Sequence, residues 1–193
     1  MGKTFIDITM SIDGFVAAEG VDLAHPLGNG GDCIHDWIFK NSDATDRMIV
    51  QEMFLSAGAF VMGRRTFDVG EAHWGEDGTF HVPCFVVTHR RRQTFTKGQT
   101  SFIFVVDSIR TAIEMAKVAA GDKDVCVMGG ASIVQQALEA GVVDEIRIHI
   151  ASLLLGTGTR LFEDTDSPPL NLVRTRVLSS PTATHLSFRV VGR

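Results

Sequence analysis

The chain has 193 residues, of which 45% are hydrophobic and 21% are charged, a balance typical of a folded globular protein rather than a disordered or fibrous one. Its 18 basic and 23 acidic residues give a formal net charge of -5. A general nucleic-acid binder needs a basic surface, so this charge argues against that class. The length fits one domain spanning residues 1–193.

The sequence contains no pattern for export, membrane insertion or metal binding. The N-terminus lacks a cationic region followed by an apolar one, and no apolar window is long enough to span a membrane. Cys33, Cys84 and Cys126 are widely spaced and odd in number, which excludes a disulfide framework and fits a reducing compartment. We therefore expect a cytoplasmic protein without a metal centre, a membrane anchor or a nucleic-acid partner.

The first element is a strand. Polar and apolar residues alternate from Phe5 to Ile12, and the isoleucines of this run share one face. Asp13-Gly14 then predicts a turn. The small or apolar residues at 15–18 could pass close to a flat ligand, or could only continue a hairpin.

A loop and a short helical segment follow. Residues 20–31 are rich in glycine and have no periodicity, whereas residues 32–40 are compatible with a short helix. The helical segment contains His35 and Asp36, which could exchange protons with a substrate. Adjacent helical residues point in different directions, however, which favours the alternative that both are surface residues beside a packing tryptophan, Trp37.

Strands and helices alternate through the middle of the chain. Three amphipathic segments predict helices, at residues 42–57, 108–120 and 131–140. Five apolar or alternating runs predict strands, at residues 59–62, 85–88, 101–106, 125–128 and 145–151. Two last runs, 170–178 and 185–191, predict an antiparallel hairpin. The fold class is therefore α/β, with a central mixed, mostly parallel sheet flanked by helices.

Glycines and arginines directly follow three of these strands. Gly63-Arg64-Arg65-Thr66 follows the second strand, Thr88-His89-Arg90-Arg91-Arg92 ends the third, and Gly129-Gly130 separates the fifth strand from a helix. In an open α/β sheet, ligands bind at the carboxyl ends of the strands. Glycines before a helix suit phosphates, and guanidinium groups suit an additional phosphate. The alternative for each junction is an ordinary tight connection or a solvated cationic turn.

These junctions favour a dinucleotide with a 2′-phosphate. NAD-specific sites place a carboxylate against the ribose hydroxyls, whereas this pattern offers arginines, so NADPH fits better than NADH. The chain contains neither GxGxxG nor GxxxxGK[ST], which excludes an ordinary Rossmann domain and a P-loop hydrolase.

Four motifs in sequence order resemble the dihydrofolate reductase-like superfamily. They are MSIDG from residue 10, VMGRRTF from residue 61, VMGGASI from residue 127, and DEI to LLG over residues 144–156. Their order and spacing are similar to the family pattern over nearly the whole chain. The branch most like this chain contains the reductase domain of the bifunctional riboflavin-biosynthesis deaminase-reductase.

The resemblance implies a dihydrofolate reductase-like fold with NADPH laid across the carboxyl edge of the sheet. At matching positions it implies pyrophosphate and ribose contacts from Gly129, Gly130, Ala131, Ser132 and Ile133. It implies adenosine and phosphate contacts from Gly63, Arg64, Thr66, Thr88 and Arg90, and nicotinamide contacts from Ala17 and Ala18. It also implies a cis peptide between the paired glycines, and a homodimer.

The implied activity is hydride transfer from NADPH to a C=N or C=O group of a small heterocycle, either pterin-like or like a riboflavin precursor. Asp36 approximately matches the acidic residue that binds the pterin in dihydrofolate reductases, and Asp13 belongs to the shared signature. Both are candidate catalytic residues, and the proton could come from Asp36, His35 or water. His25 and Arg160 are candidates for a substrate phosphate. The alternative is a non-catalytic NADP(H)-binding or sensor protein on the same scaffold.

Overall fold

A nine-stranded sheet forms the centre of the computed structural model, which describes residues 2–163 and 169–191. The strands of the described residues are β1 (Thr4–Ser11), β2 (Phe15–Ala17), β3 (Ala57–Gly63), β4 (Cys84–Val87), β5 (Phe95–Lys97), β6 (Thr100–Val105), β7 (Asp124–Val127), β8 (Glu145–Ala151), β9 (Thr159–Arg160), β10 (Asn171–Ser179) and β11 (Ala183–Val191). The order in the sheet is β10-β11-β8-β1-β7-β3-β4-β6-β5. The six strands from β8 to β6 are parallel, whereas β10, β11 and β5 pair antiparallel.

Helices cover both faces of this sheet. They are α1 (Asp36–Phe39), α2 (Ala44–Ser56), α3 (Arg64–Gly70), α4 (Ile109–Ala120) and α5 (Ala131–Glu139). Ser42 was predicted as the N-cap of α2, but the cap is Asp43, one residue later, which forms a capping box with Asp46. Helix α4 is capped by Ser108, whose hydroxyl accepts from the amide of Thr111.

Alternation along β1 places its apolar residues in two of the three hydrophobic clusters found among the described residues. Ile6 and Ile8 pack with Ile113 of α4 and Val134 of α5 on one side. Phe5 packs with an aromatic cluster on the other side, which includes Phe60, Phe67, Phe80 and Phe102. Burying a large apolar side chain stabilises a protein by about 1.5–3 kcal/mol. Both faces of the sheet therefore contribute to stability, and its edges remain available for function.

The predicted α/β class, the mostly parallel sheet and the C-terminal antiparallel hairpin are confirmed. One prediction about the first strand is wrong: Ile12 does not share the buried face of Ile6 and Ile8, because its side chain is 60% exposed. The strand ends at Ser11, where the amide of Gly14 donates to the Ser11 carbonyl and turns the chain. Strands β2, β5 and β9 were not predicted, since runs of two or three residues carry no periodicity.

Candidate coenzyme and active site

The three predicted junctions lie side by side at one edge of the sheet. Strands β7, β3 and β4 are consecutive and parallel, so their carboxyl ends point the same way. The amide of Gly63 donates to the carbonyl of Gly129 at 2.8 Å, which joins the ends of β3 and β7. The amide of Thr88 donates to the Val105 carbonyl at 2.9 Å and fixes the end of β4 against β6. The convergence expected from the sequence is confirmed.

Two helix N-termini open onto this edge. Helix α3 is capped by Gly63 and helix α5 by Gly130, and neither cap has a side-chain hydrogen bond. In contrast, the caps of α2 and α4 accept amide hydrogens through their side chains. The first amides of a helix have no intrahelical partner and carry partial positive charge. Two such ends beside each other favour an anion.

The glycines at these ends differ in the space around them. A Cβ added at Gly63 would lie 2.9 Å from Cγ1 of Ile133, so this glycine allows α5 to pack against β3. A Cβ at Gly130 would have Thr66 Oγ1 as its nearest neighbour, at 3.5 Å, and one at Gly129 would meet only Ile8 Cδ1, at 3.6 Å. The peptide between Gly129 and Gly130 is cis, as the resemblance implies. The protein therefore leaves room above these two residues, which fits a phosphate held by backbone amides.

A cationic and aromatic surface flanks the glycines. Arg64 forms an ion pair with Asp68, with Nε 2.7 Å from Oδ1, and its guanidinium lies 5.7 Å from the ring centre of Phe104. Arg92 lies 5.1 Å from the same ring and 5.2 Å from Phe67. A cavity of about 360 Å³ is lined by Arg91, Arg92, Gln93, Phe104 and Val106. This surface combines positive charge with a flat ring, which suits a phosphorylated nucleoside.

Thr88 and Arg90 shape the end of β4. The hydroxyl of Thr88 accepts from the amide of Arg90 at 3.1 Å, and Thr88 is only 6% exposed. The side chain of Arg90 is exposed. Thr88 therefore stabilises the turn from within, while Arg90 faces solvent at the same edge.

Ala17 and Ala18 lie in a tightly packed segment. Both residues are 9% exposed, and the amide of Ala18 donates to the Leu27 carbonyl at 2.8 Å. A Cβ at Gly158 would lie 2.0 Å from the Ala17 carbonyl oxygen, and one at Gly28 would lie 2.3 Å from that of Ala18. Neighbouring backbone thus fixes this segment before any ligand arrives.

Asp13 anchors the segment after β8. Its carboxylate accepts from the hydroxyl of Ser11 at 2.5 Å and from the amides of Leu155 and Gly156 at 3.1 and 2.7 Å. These hydrogen bonds, that of Ser11 foremost, lower the pKa of Asp13 from 3.8 to about 2. Asp13 is therefore ionised at neutral pH, where it can position the loop but has no proton to donate.

Asp36 and His35 lie at the start of α1. Asp36 pairs with Lys40 at 2.9 Å, and this hydrogen bond raises the pKa of Lys40. Burial lowers the pKa of His35 to about 4, so its ring is neutral at pH 7. Trp37 is 2% exposed and donates from Nε1 to Thr9 Oγ1 at 3.3 Å. No hydrogen bond within the described parts of the chain joins Asp36 to the glycine junctions.

His25 and Arg160, the two residues predicted as candidates to bind a substrate phosphate, already contact other groups of the protein. His25 Nδ1 lies 3.1 Å from Asp22 Oδ1. Arg160 donates to the Asp13 carbonyl at 3.2 Å, and its guanidinium lies 4.5 Å from the ring centre of Phe15. Arg160 thus lies beside the Asp13 turn, whereas His25 belongs to the loop before Gly28.

Residues 3–185 match the family model described as the RibD C-terminal domain. The chain belongs to the RibD C-terminal domain family. The chain is also similar to YyaP of Bacillus subtilis (strain 168), which is described as an uncharacterized protein. The two are 27% identical over 190 residues, which is 92% of this chain and 90% of YyaP.

Solved structures show the same fold. A Shewanella sp. PV-4 protein, provisionally described as a riboflavin biosynthesis protein, has a TM-score of 0.76 at 20% identity, over 98% of this chain and 99% of its own. The Thermotoga maritima diaminohydroxyphosphoribosylaminopyrimidine deaminase/5-amino-6-(5-phosphoribosylamino)uracil reductase has a TM-score of 0.65 at 14% identity, over 98% of this chain and 57% of its own. These similarities establish a dihydrofolate reductase-like architecture.

Two residues beside the edge formed by the ends of β3, β4 and β7 were not predicted from the sequence. The guanidinium of Arg92 lies over the ring of Phe104, but a run of three consecutive arginines does not indicate which of them makes such a contact. Strand β5 turns the chain back after this run, and its length of three residues hid it from periodicity. Among the described residues, no helix is both long and apolar enough to cross a membrane.

Proposed function

We propose that the protein is an NADPH-dependent reductase that transfers a hydride to a C=N or C=O group of a small heterocyclic substrate. One observation carries the proposal: two helix N-termini, capped by Gly63 and Gly130 without side-chain hydrogen bonds, lie side by side where β3 and β7 end. That arrangement is suited to a pyrophosphate. The neighbouring Arg64 and Arg92 supply charge for a further phosphate.

The residues that would hold the coenzyme follow from this edge. The amides from Gly129 to Ser132 would bind the pyrophosphate, with Thr66 beside them, and Ile133, whose amide donates to the Gly130 carbonyl, would border the ribose. Arg64, Thr88 and Arg90 would face the adenosine with its 2′-phosphate, together with Arg92. Ala17 and Ala18 would border the nicotinamide. Bound NADPH supplies the hydride, and the protein supplies alignment and exclusion of water.

Asp13 and Asp36 take different roles in this proposal. Asp13 is ionised and holds the amides of Leu155 and Gly156, so it positions the loop that borders the site. Asp36 is partly exposed and would relay a proton to the substrate, after accepting it from a water molecule or from the ammonium group of Lys40.

The substrate class rests on the family and its relatives. The Thermotoga maritima enzyme is named for reduction of a phosphoribosylaminouracil, and a Corynebacterium diphtheriae structure with TM-score 0.67 and 16% identity is described as pyrimidine reductase-like. We therefore favour a pyrimidine related to a riboflavin precursor over a pterin. Arg160, beside the Asp13 turn, is the cation best placed for a phosphate on that substrate.

A non-catalytic NADP(H)-binding or sensor protein is the second candidate. This alternative is favoured because both candidate carboxylates already have partners within the protein. Asp13 accepts hydrogen bonds from three donors, and Asp36 forms an ion pair with Lys40. Such a protein would bind the coenzyme at the same edge but would not catalyse hydride transfer to a substrate.

Calorimetry and absorbance together test the proposal. We expect the protein to bind NADPH more tightly than NADH, and to oxidise NADPH when a phosphoribosylaminouracil or dihydrofolate is added. Tight NADPH binding without oxidation by either compound would favour the sensor. Tighter binding of NADH than NADPH, or of neither, would contradict the proposed coenzyme site.

We also propose a cytoplasmic homodimer. The outer strand β10 exposes Leu172, Val173 and Val177, which are 41, 45 and 49% exposed, and exposed apolar side chains along an edge strand favour association. Sedimentation velocity should give twice the mass of one chain, and a monomer at micromolar concentration would refute this part.

A further inference from the structure

The strand order indicates where the adenosine of a bound dinucleotide would lie. In the order β1-β7-β3-β4-β6, the hydrogen bond from Gly63 to Gly129 joins the ends of β3 and β7. Ala17 and Ala18 follow β1 in the chain, on one side of this junction, whereas β4 and β6 lie on the other side. Neighbouring strands are about 4.8 Å apart, so β6 lies about 10 Å from β3. A pyrophosphate at the junction, with the nicotinamide near β1, would place the adenosine over the ends of β4 and β6.

Phe104 is the aromatic side chain near the end of β6. It lies two residues after the buried Phe102, on the sheet face that α3 covers. Its ring centre lies 5.7 Å from the guanidinium of Arg64 and 5.1 Å from that of Arg92. Phe67 of α3 meets the same ring edge-on, with the ring centres 5.1 Å apart. The place where an adenosine would lie therefore combines an aromatic ring with two guanidinium groups.

The other arginines at this edge are either already paired or not held in place. Arg64 Nε lies 2.7 Å from Asp68 Oδ1, so a phosphate would compete with a carboxylate for this guanidinium. The side chains of Arg90 and Arg91 are exposed, and neither guanidinium contacts a ring or a carboxylate within the described residues. Fixing such a side chain against a ligand costs rotamer entropy.

Arg92 is held in place but keeps its charge unpaired. Its guanidinium lies 5.2, 5.3 and 5.1 Å from the ring centres of Phe67, Phe95 and Phe104. Stacking on rings uses the face of a guanidinium and leaves the N–H groups on its edge free. In the part of the chain that the structure describes, no carboxylate or carbonyl accepts from these N–H groups, and the side chain is exposed. Arg92 therefore offers an anion a full charge in a fixed orientation.

The cavity beside Arg92 has the lining that a phosphorylated nucleoside requires. It measures about 360 Å³ and is lined by Arg91, Arg92, Gln93, Phe104 and Val106. Asp107 follows Val106 in the chain, and its carboxylate accepts from the hydroxyl of Thr111 at 3.0 Å. The lining thus contains two guanidinium groups and a ring but no carboxylate, which suits an anion attached to a flat heterocycle.

We propose that Arg92 binds the 2′-phosphate of NADPH and determines the preference for NADPH over NADH, an assignment that rests on the proposed function. The rings of Phe67, Phe95 and Phe104 hold the guanidinium of Arg92 in position. The adjacent Arg91 contributes only to the local positive potential. Arg92 is therefore the residue at this edge whose loss should remove the discrimination between the two coenzymes.

Three nucleotides test this proposal by calorimetry on the intact protein: adenosine 2′,5′-bisphosphate, adenosine 3′,5′-bisphosphate and adenosine 5′-monophosphate. The two bisphosphates carry the same charge and differ in the position of one phosphate, which the monophosphate lacks. We expect the 2′,5′-bisphosphate to bind about tenfold or more tightly than either of the others, because a positioned guanidinium donates to its 2′-phosphate. Equal binding of the two bisphosphates would mean that only charge is recognised, and would overturn the proposal.

Three variants complete the test. Arg92→Gln should weaken binding of adenosine 2′,5′-bisphosphate and of NADPH at least about tenfold, and should leave the monophosphate and NADH unchanged. Arg91→Gln is the matched control, because it removes the same charge from the adjacent exposed residue; it should weaken the bisphosphate less than about threefold, since solvent screens a charge that makes no contact. Arg92→Lys keeps the charge but lacks the planar group that stacks on the rings, and should fall between Arg92→Gln and the unaltered protein.

The role of Arg92 and the proposed coenzyme site can fail separately. A preference for NADPH over NADH that survives Arg92→Gln, or an equal loss of that preference in Arg91→Gln, would refute the role of Arg92 alone. An unaltered protein that binds neither coenzyme, or that binds NADH more tightly, would refute the proposed function together with this role.

Discussion

Gly130→Ala and Gly63→Ala, two substitutions at the proposed coenzyme site, should affect different properties of the protein. The Cβ of Gly130→Ala would have Thr66 Oγ1 at 3.5 Å as its nearest neighbour, and the φ of Gly130 is −74°, which an alanine adopts readily. The Cβ of Gly63→Ala would lie 2.9 Å from Ile133 Cγ1, inside a normal contact. We therefore expect Gly130→Ala to impair binding and Gly63→Ala to impair packing.

The magnitudes follow from these distances. Gly63→Ala should lower the free energy of unfolding by about 1–3 kcal/mol, the usual cost of overpacking. Gly130→Ala should leave it unchanged or raise it by about 0.5 kcal/mol, because alanine restricts the unfolded chain. Its methyl group would stand where the pyrophosphate approaches, and loss of one charge-assisted hydrogen bond, about 1.5–3 kcal/mol, weakens binding about 10- to 100-fold.

Urea unfolding and NADPH calorimetry on both variants separate the two effects. Each variant is the control of the other, since both add one methyl group at neighbouring positions of the same edge. If Gly130→Ala is folded and binds NADPH as tightly as the unaltered protein, the coenzyme phosphates do not lie against this glycine. The reasoning about the junctions would then be refuted.

Three further predictions concern Asp36, Asp13 and the cysteines. Asp36→Asn should lower turnover at least about tenfold without changing NADPH affinity, and unchanged turnover would exclude Asp36 as the proton source. Because hydrogen bonds lower the pKa of Asp13 from 3.8 to about 2, its contribution to stability is present above about pH 4 and is lost as the pH falls towards 2. Acid unfolding of Asp13→Asn should lack this component, and an identical acid transition would contradict it. Burial raises the pKa of Cys84 and Cys126, so a thiol reagent at pH 7 should label only Cys33 in the folded protein and all three cysteines after denaturation; labelling of either buried thiol would refute this.

The convergence of the three glycine and arginine junctions at one edge of the sheet was predictable because its signals are local. A strand, one or two glycines and a helix start are contiguous in sequence at Gly63 and at Gly129-Gly130, and alternation of strands and helices brings such junctions to one edge. Position along the chain did not reveal which exposed arginine would lie over the aromatic rings. Arg92 contacts Phe67 and Phe104 because β5 folds back against β6, and three residues of strand give no pattern to read.

One row of buried ionisable side chains, formed by Asp7, His149, His185 and Asp46, could not be predicted, because the residues in contact are far apart in sequence. Asp7 and His149 are separated by 142 positions, His149 and His185 by 36, and His185 and Asp46 by 139. Alternation placed His149 on the face opposite the isoleucines of its strand. Only the strand register, with His149 opposite His185 and Thr9 opposite His149, brings the groups together.

A crystal structure of the protein with NADP⁺ tests the central claim most directly. The account predicts that the pyrophosphate lies against the amides from Gly129 to Ser132, with the 2′-phosphate near Arg64, Arg90 or Arg92. A coenzyme bound elsewhere, or with its adenosine away from these arginines, would contradict it.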